Sequence, residues 1–517
     1  MTPPCIASIW ALLLVSVLAS GSEISRVDIT VEALQGRSED LAVLRSSSFF
    51  VPKTAAGLAD YLATPGGHRA TRIGVFEQAL AESTDEKSFL ANLERYREPL
   101  TKLCGVTDRL VIVIAKMPAW LSRLPQAIDP IGDAGWRRFH AQPPRDYAQW
   151  RRIVAAGVRW FGGFAGARRD FEIWNEPDLF SWKATTTEFM EFYTETAQSI
   201  RGADPAARIG GPALNGWRGS VPGDSGGDLI VQLIRYVGKR QVPLDFVSWH
   251  WFSAEPGDIV TAAEEYRRAG LDAGMGQAPE LQISEWNVPS ELRGTPFAAA
   301  LHAEAFLGFI DAGISAQMVA AWEDFTAHPA GFSDYGLITQ QGIRKPVWHV
   351  HRFFDALSRQ SSAWTSVRQG SFRVLVARGQ GEQPSHRLIC WERSVDPRLA
   401  ALDVLRHEVS LVTLAATYKD AATLLSWVVR GRSMDGKHDR LFANARSAME
   451  ATALAAKGRI SCVVRVTGLP AAEVFKGRAV KSSVRDVLID RRGDSLSFEL
   501  ERNEVLMLAS GLAVSAP

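Results

Sequence analysis

The chain has 517 residues, 46% of them hydrophobic and 22% charged, enough for two domains and too well mixed for extended disorder. Its formal net charge is +1, which gives no support for a nucleic-acid or other polyanionic partner and leaves open only a local basic groove for an acidic sugar. Four cysteines, at positions 5, 104, 390 and 462, have no metal-like spacing, and nothing else in the sequence calls for a metal or a cofactor.

Cys5 to Leu18 is an apolar run broken only by serine, and it ends in Ala19-Ser20-Gly21-Ser22. This predicts a signal peptide over 1–21, cleaved near Ala19 or Gly21, and hence a secreted or periplasmic protein. No Lys or Arg precedes the run, so a retained N-terminal anchor is the other reading; no later stretch is apolar enough to span a membrane. Residues 22–39 contain an alternating segment, Ser25–Val31, which could join a sheet formed much later in the chain.

From about residue 40 to 357, apolar runs alternate with amphipathic segments. Strands are predicted at Leu41–Leu44, Arg72–Phe76, Arg109–Ala115, Asp170–Trp174, Arg208–Gly211, Asp245–Trp249, Glu280–Ser284 and Ala316–Ala321. Helical patterns follow most of them, at Glu86–Leu103, Tyr147–Phe161, Thr187–Arg201, Asp228–Val237, Pro296–Ala312 and Lys345–Leu357. Eight strand–helix units in sequence favour an α/β fold of the (β/α)8 TIM-barrel type over a doubly wound sheet. Past residue 357 the runs at Phe372–Ala377, Arg387–Glu392, Glu408–Leu414, Leu424–Val429, Arg459–Val466 and Ser495–Leu500 alternate instead. They predict a β-sandwich-like accessory domain over 358–517, interrupted by a helix at Asp439–Ala456. Cys390 and Cys462 lie in two of these runs and either pair or remain buried thiols.

The fourth predicted strand ends in Trp174-Asn175-Glu176-Pro177. Pro177 removes a donor and biases Glu176 towards extended backbone, so this carboxylate closes a strand and does not sit in a helix. The seventh strand repeats the plan at Ser284-Glu285-Trp286-Asn287. In a barrel, side chains at the C-terminal strand ends carry the chemistry. Two carboxylates so placed suit cleavage of a glycosidic bond, one protonating the leaving oxygen and the other attacking the anomeric carbon.

The ordered series Phe171-Glu172-Ile173-Trp174-Asn175-Glu176-Pro177-Asp178-Leu179, Ile209-Gly210-Gly211-Pro212-Ala213, Asp245-Phe246-Val247-Ser248-Trp249-His250, Ser284-Glu285-Trp286-Asn287, Tyr335-Gly336-Leu337-Ile338 and Arg344-Lys345-Pro346 resembles glycoside hydrolase family 39. That family belongs to the clan A retaining barrels and includes β-xylosidases, α-L-iduronidases and bacterial exopolysaccharide glycosidases. The resemblance implies Glu176 as acid/base and Glu285 as nucleophile of a retaining double displacement on an oligo- or polysaccharide. Asn175 looks like the donor to the sugar 2-hydroxyl and Trp322 like the stacking platform, while His250 and Trp286 complete the expected substrate-binding set. The match departs from the family where a tyrosine commonly follows the sixth-strand His by two positions. Here Phe252 stands instead, and it cannot donate a hydrogen bond to the nucleophile.

Blander readings stand beside these. His250 could be a buried ring satisfied by backbone, and Trp322 core filler. Glu323 and Asp324 reach either the cleft or solvent, and Trp182, Trp217 and Trp251 either line subsites or pack. Phe252 also motivates a carbohydrate-binding protein on a decayed hydrolase barrel, and a transglycosylase would use the same residues as a hydrolase.

Overall fold

The alternating runs close on themselves in the computed structural model, which describes residues 26–510 apart from 33, 35, 50–51, 125–140, 180, 225, 290–291, 296, 327–333, 360, 380–384, 394–396, 410–413, 415–416, 419–420, 435, 456–458, 468 and 470–473. The N-terminal apolar run therefore lies outside the described residues. Eight parallel strands form the barrel: β1 (Ser47–Phe49), β2 (Ala70–Ile73), β3 (Arg109–Ile114), β4 (Arg168–Ile173), β5 (Arg208–Leu214), β6 (Phe246–Trp251), β7 (Glu280–Trp286) and β8 (Ala316–Ala320). Each pairs with the next, and β8 returns to β1 with Val319 opposite Ser48. Both faces of these strands are covered, so they read as continuous apolar runs with little alternation.

The first strand corrects the sequence reading. Leu41–Leu44 is the end of a 3-10 helix, Ser38–Leu44, and the strand comes at Ser47–Phe49. Two serines hide it from hydropathy, although all three residues are buried. Close approach fixes another strand. A Cβ on Gly210 would lie 2.2 Å from the Phe246 carbonyl, and one on Gly211 2.5 Å from the Ile173 carbonyl, so only glycine lets β5 lie between its neighbours.

Beyond the last barrel helix, Pro346–Arg359, two sheets face one another. One has seven strands, from Val484–Val487 at one edge to Gly36–Arg37 at the other, and includes Phe372–Gly379 and His386–Glu392. The second has four, and the N-terminal strand Arg26–Val31 runs parallel to Arg459–Val466 within it. Val27, Ile29, Val374, Cys390, Cys462 and Leu496 share the core between the sheets. Cys390 and Cys462 are both free thiols there, and burial pushes the Cys462 thiol up to about 12.

One predicted strand of this region is wrong: Ala421–Arg430 is helical across Leu424–Val429. The strand expected at Glu408–Leu414 lies mostly outside the described residues, which show helix Pro397–Glu408 leading up to it. Ala401, Leu402 and Leu405, and again Leu424 and Val428, recur at three- and four-residue spacing, and that period decided the outcome. With Asp439–Ala455 these helices pack on Ala254, Val288, Leu292 and Leu301, beside the loops that leave β6 and β7. Among the described residues no helix is long and apolar enough to cross a membrane, and no group of three or more His, Cys, Asp or Glu side chains could hold a metal ion.

Candidate active site

A break in strand register builds the centre of the site. Trp249 on β6 faces Ile283 on β7, but the next residue, His250, faces Glu285. Ser284 is therefore an extra residue, and a bulge of this kind resets which side each following side chain takes. Glu285 turns into the barrel mouth, and Trp286 turns out to the helix layer. At the end of β4 the backbone itself turns: Trp174 has φ +77° and Glu176 φ +51°. The expected extended conformation before Pro177 is thus not adopted. The Glu176 N–H donates to the Ala213 carbonyl at 2.8 Å, and the Ser181 hydroxyl donates to the Asn175 and Glu176 carbonyls at 2.6 and 2.7 Å. These contacts hold a strained left-handed turn that aims Glu176 at the cleft, and such turns cluster at functional sites.

One imidazole spans the pair. His250 Nδ1 lies 3.1 Å from Glu176 Oε1, and its Nε2 lies 3.7 Å from Glu285 Oε1, beyond hydrogen-bond distance. The His250 ring is wholly buried, whereas Glu176 is 21% exposed and Glu285 13%. The solvent-facing member is therefore Glu176, which can exchange a proton with a leaving group or with water. Burial works to lower the His250 pKa, but the Glu285 and Glu176 carboxylates more than offset it and hold the ring above the ordinary histidine value. Burial raises Glu285, opposed by the cations of His250 and Arg72 and assisted by the Glu176 and Glu172 charges.

Arg72 was not singled out in the sequence, and it organises the floor. Its guanidinium is fully buried and donates from Nε to Glu172 at 2.5 Å, from Nη1 to Glu285 at 2.7 Å and from Nη2 to Asn175 Oδ1 at 2.7 Å. It also stacks over Phe49, 4.4 Å from the ring centre. Three charge-assisted bonds from one planar group fix the positions of a carboxylate, an amide and a second carboxylate at once. Because Asn175 Oδ1 is taken by Arg72, the Asn175 NH2 group is the part left to donate outward. Phe252 meets Tyr335 edge-on at 6.1 Å, and as a phenylalanine it has no hydroxyl to donate to Glu285; Arg72 donates to Glu285 instead.

Two expected substrate contacts are corrected. Trp286 is buried among His302, Phe306, Phe309 and His351 and donates to Gln317, so it packs the barrel against its helices. Trp322 is 1% exposed; its Nε1 donates to Asp60 at 3.1 Å, and its ring meets Tyr61 and His68 edge-on. It cannot offer a face to a sugar in this arrangement. The two acids beside it are ties within the fold. Glu323 accepts from the Lys53 and Thr54 N–H groups, and Asp324 accepts from Lys345 Nζ at 2.6 Å and the Gly336 N–H. Trp182 and Trp251 are core residues, while Trp217 is half-buried and donates to Glu265. Asp178 also escaped notice. Burial pushes its carboxyl up to about 7, opposed by the Asn215 N–H and reinforced by Glu176.

A closed parallel barrel with Glu176 just past its fourth strand and Glu285 at the C-terminal end of its seventh defines a (β/α)8 protein of the paired-carboxylate class. Residues 121–270 match the family model described as glycosyl hydrolases family 39. A β-xylosidase of Geobacillus stearothermophilus is 28% identical over 247 residues, covering 42% of this chain and 47% of that relative; the chain thus spans about half the length of the curated relative. Among solved structures, a glucosidase from Croceicoccus marinus superposes with a TM-score of 0.59 at 18% identity, covering 95% of this chain and 100% of the other. A monomeric β-xylosidase from Caulobacter crescentus gives 0.56 at 16% identity, covering 95% and 97%. At these identities the superpositions speak for the fold.

Proposed function

We propose that this protein is a retaining glycoside hydrolase that cleaves an oligo- or polysaccharide, with Glu176 as acid/base and Glu285 as nucleophile. The observation that carries the reading is the single buried His250 ring reaching both carboxylates, while Arg72 binds only Glu285 of the two. The Arg72 cation favours an ionised Glu285, ready to attack the anomeric carbon. Glu176, the more exposed acid, gives its proton to the leaving oxygen and then takes one from the water that releases the glycosyl-enzyme. Asn175, oriented by Arg72, donates to a sugar hydroxyl near the reacting carbon. Because relatives are named as β-xylosidases and a glucosidase, β-xylosides and glucosides are the first substrates to try.

The test is turnover of chromogenic glycosides by the wild type, Glu176→Gln and Glu285→Gln. Both variants should fold and lose turnover; undiminished activity in Glu285→Gln would sink the assignment. Added acceptor sugars in the same assay separate hydrolysis from transglycosylation by their products. The apolar run from Cys5 to Leu18 supports an extracytoplasmic setting, checked by sequencing the N-terminus of the mature protein.

A further inference from the structure

The bulge that turns Glu285 into the barrel mouth is not held by the residue that makes it. Ser284 is fully buried, and among the described residues its hydroxyl has no partner. On the β8 side Gln317 faces Ile283 and Val319 faces Trp286, so β7 carries one residue more than either neighbour. An extra residue between two regular strands keeps its place only if something beyond it fixes the register. Trp286, next to Glu285, does so. Its indole is wholly buried, and its Nε1 donates to Gln317, the last β8 residue before the break in register. Gln317 Nε2 in turn donates to the Val43 and Arg45 carbonyls at 3.3 and 3.4 Å.

Rings from two barrel helices close around that indole. Phe306 and Phe309 meet it edge-on at 5.5 and 5.1 Å, and His302 lies 4.9 Å away. His351 lies parallel to it, within 11°, at 5.4 Å. The two imidazoles are joined: His302 Nδ1 and His351 Nε2 stand 3.0 Å apart, one on helix Ala298–Asp311 and the other on Pro346–Arg359. They are 1% and 2% exposed. Burial pushes His302 down to about 3, assisted by the Arg293 charge, and it holds His351 well below the ordinary histidine range. Both rings are therefore neutral near pH 7, with an N–H of one donating to the bare nitrogen of the other. Apolar rings would fill the same space with no polar group to satisfy. What the hydrogen bond adds is direction, since it fixes the rotation of both rings and ties the two helices together behind Trp286. The accessory domain fixes those helices from the far side, where Trp391 Nε1 donates to Glu304 at 3.1 Å and Arg387 to the Ala356 carbonyl at 3.3 Å.

We propose that His302 and His351 are positioning residues for the nucleophile: their mutual bond locks the Trp286 indole, and the locked indole holds the bulge that presents Glu285 to the anomeric carbon. The inference rests on the proposed role of Glu285. Neither imidazole meets the substrate; each acts through Trp286. A reacting group misplaced by about 1 Å costs about 100-fold in rate, so a small rotation of the indole is enough to be read in kcat.

The test compares wild type with His302→Phe/His351→Phe, which keeps two aromatic rings and strands no polar group, and with Trp286→Phe, alone and combined. The paired variant should keep its KM and lose about 10- to 100-fold in kcat. Because all three residues act through one indole, adding Trp286→Phe should not multiply that loss. An unchanged kcat in the paired variant, or losses that multiply, would overturn the proposal. Should the paired variant fail to fold, His351→Gln and His351→Leu carry the comparison. The glutamine amide reaches the place of the imidazole Nε2 and keeps the bond to His302, so its kcat should exceed that of the leucine variant; equal values would refute the role. Turnover that survives Glu285→Gln would remove the reading on which the inference rests, whereas a dead Glu285→Gln beside an undiminished paired variant removes the inference alone. Should no glycoside be turned over, crystal structures of wild type and the paired variant decide. Glu285 should leave its 2.7 Å bond to Arg72 Nη1, and a carboxylate that has not moved sinks the idea.

Discussion

Replacing Arg72 with methionine removes one cation from between two acids and an amide, and the structure fixes what should follow. Glu172 is wholly buried, and its Oε2 has Arg72 as its partner at 2.5 Å, while Oε1 already lacks one. Breaking a buried pair from one side costs about 3–5 kcal/mol, because the remaining charge is left uncompensated. Arg72→Met should lose stability on that scale, measured by urea unfolding followed through a barrel-specific signal. Adding Glu172→Leu removes the stranded charge, and the double variant should recover most of the loss. Activity should not return with it. Glu285 loses the cation at 2.7 Å in both variants, so its proton affinity climbs further and the acidic limb of the kcat/KM profile should move up by about one to two pH units. A single variant within about 1 kcal/mol of wild type, or a double variant with the wild-type acidic limb, would refute the reasoning.

Three further outcomes follow from the same geometry. Glu285 has a folded pKa raised by burial, so its charge penalises the native state above the unfolded value near 4.3; Glu285→Gln should melt higher than wild type at pH 7, and the gain should vanish on acidification below about 4. Asp178 titrates near 7 when folded, so its penalty is absent below about 4 and complete above 7; Asp178→Asn should flatten the fall in stability between those pH values in a series of melting curves. Gly211 has φ +131° and no room for a Cβ beside the Ile173 carbonyl, so Gly211→Ala should cost about 1–3 kcal/mol from backbone strain alone, read by chemical denaturation.

The barrel was legible because its strands differ from its helices in period and because the strand ends carry unusual residues. Trp-Asn-Glu-Pro and Glu-Trp-Asn mark β4 and β7 without any alignment. What stayed hidden was orientation. A one-residue bulge at Ser284 decides whether Glu285 or Trp286 faces the cleft, and no count of apolar residues detects it. The same holds for Trp322, whose partner Asp60 lies 262 positions earlier in the chain. Arg72 and Glu172 did leave a signal: each is a charged residue inside a short apolar run, at Ala70–Ile73 and Phe171–Ile173. Such residues are almost never buried unless paired, so two of them in one barrel could have been matched.

Phe252 offers Glu285 no polar group, whereas a tyrosine there could give one neutral hydroxyl bond; Arg72 holds Glu285 with a charge-assisted bond and sets Asn175 with another. The difference between the two donors has a consequence for pH. A neutral donor favours the ionised carboxylate only modestly, while a buried cation favours it strongly. Glu285 needs that stronger partner because burial and the charges of Glu176 and Glu172 all push its proton affinity up. Restoring a hydroxyl by Phe252→Tyr should therefore change turnover little in the wild type. In Arg72→Met it should do more, but only if the new hydroxyl reaches Glu285 past Tyr335, the ring that Phe252 now meets edge-on.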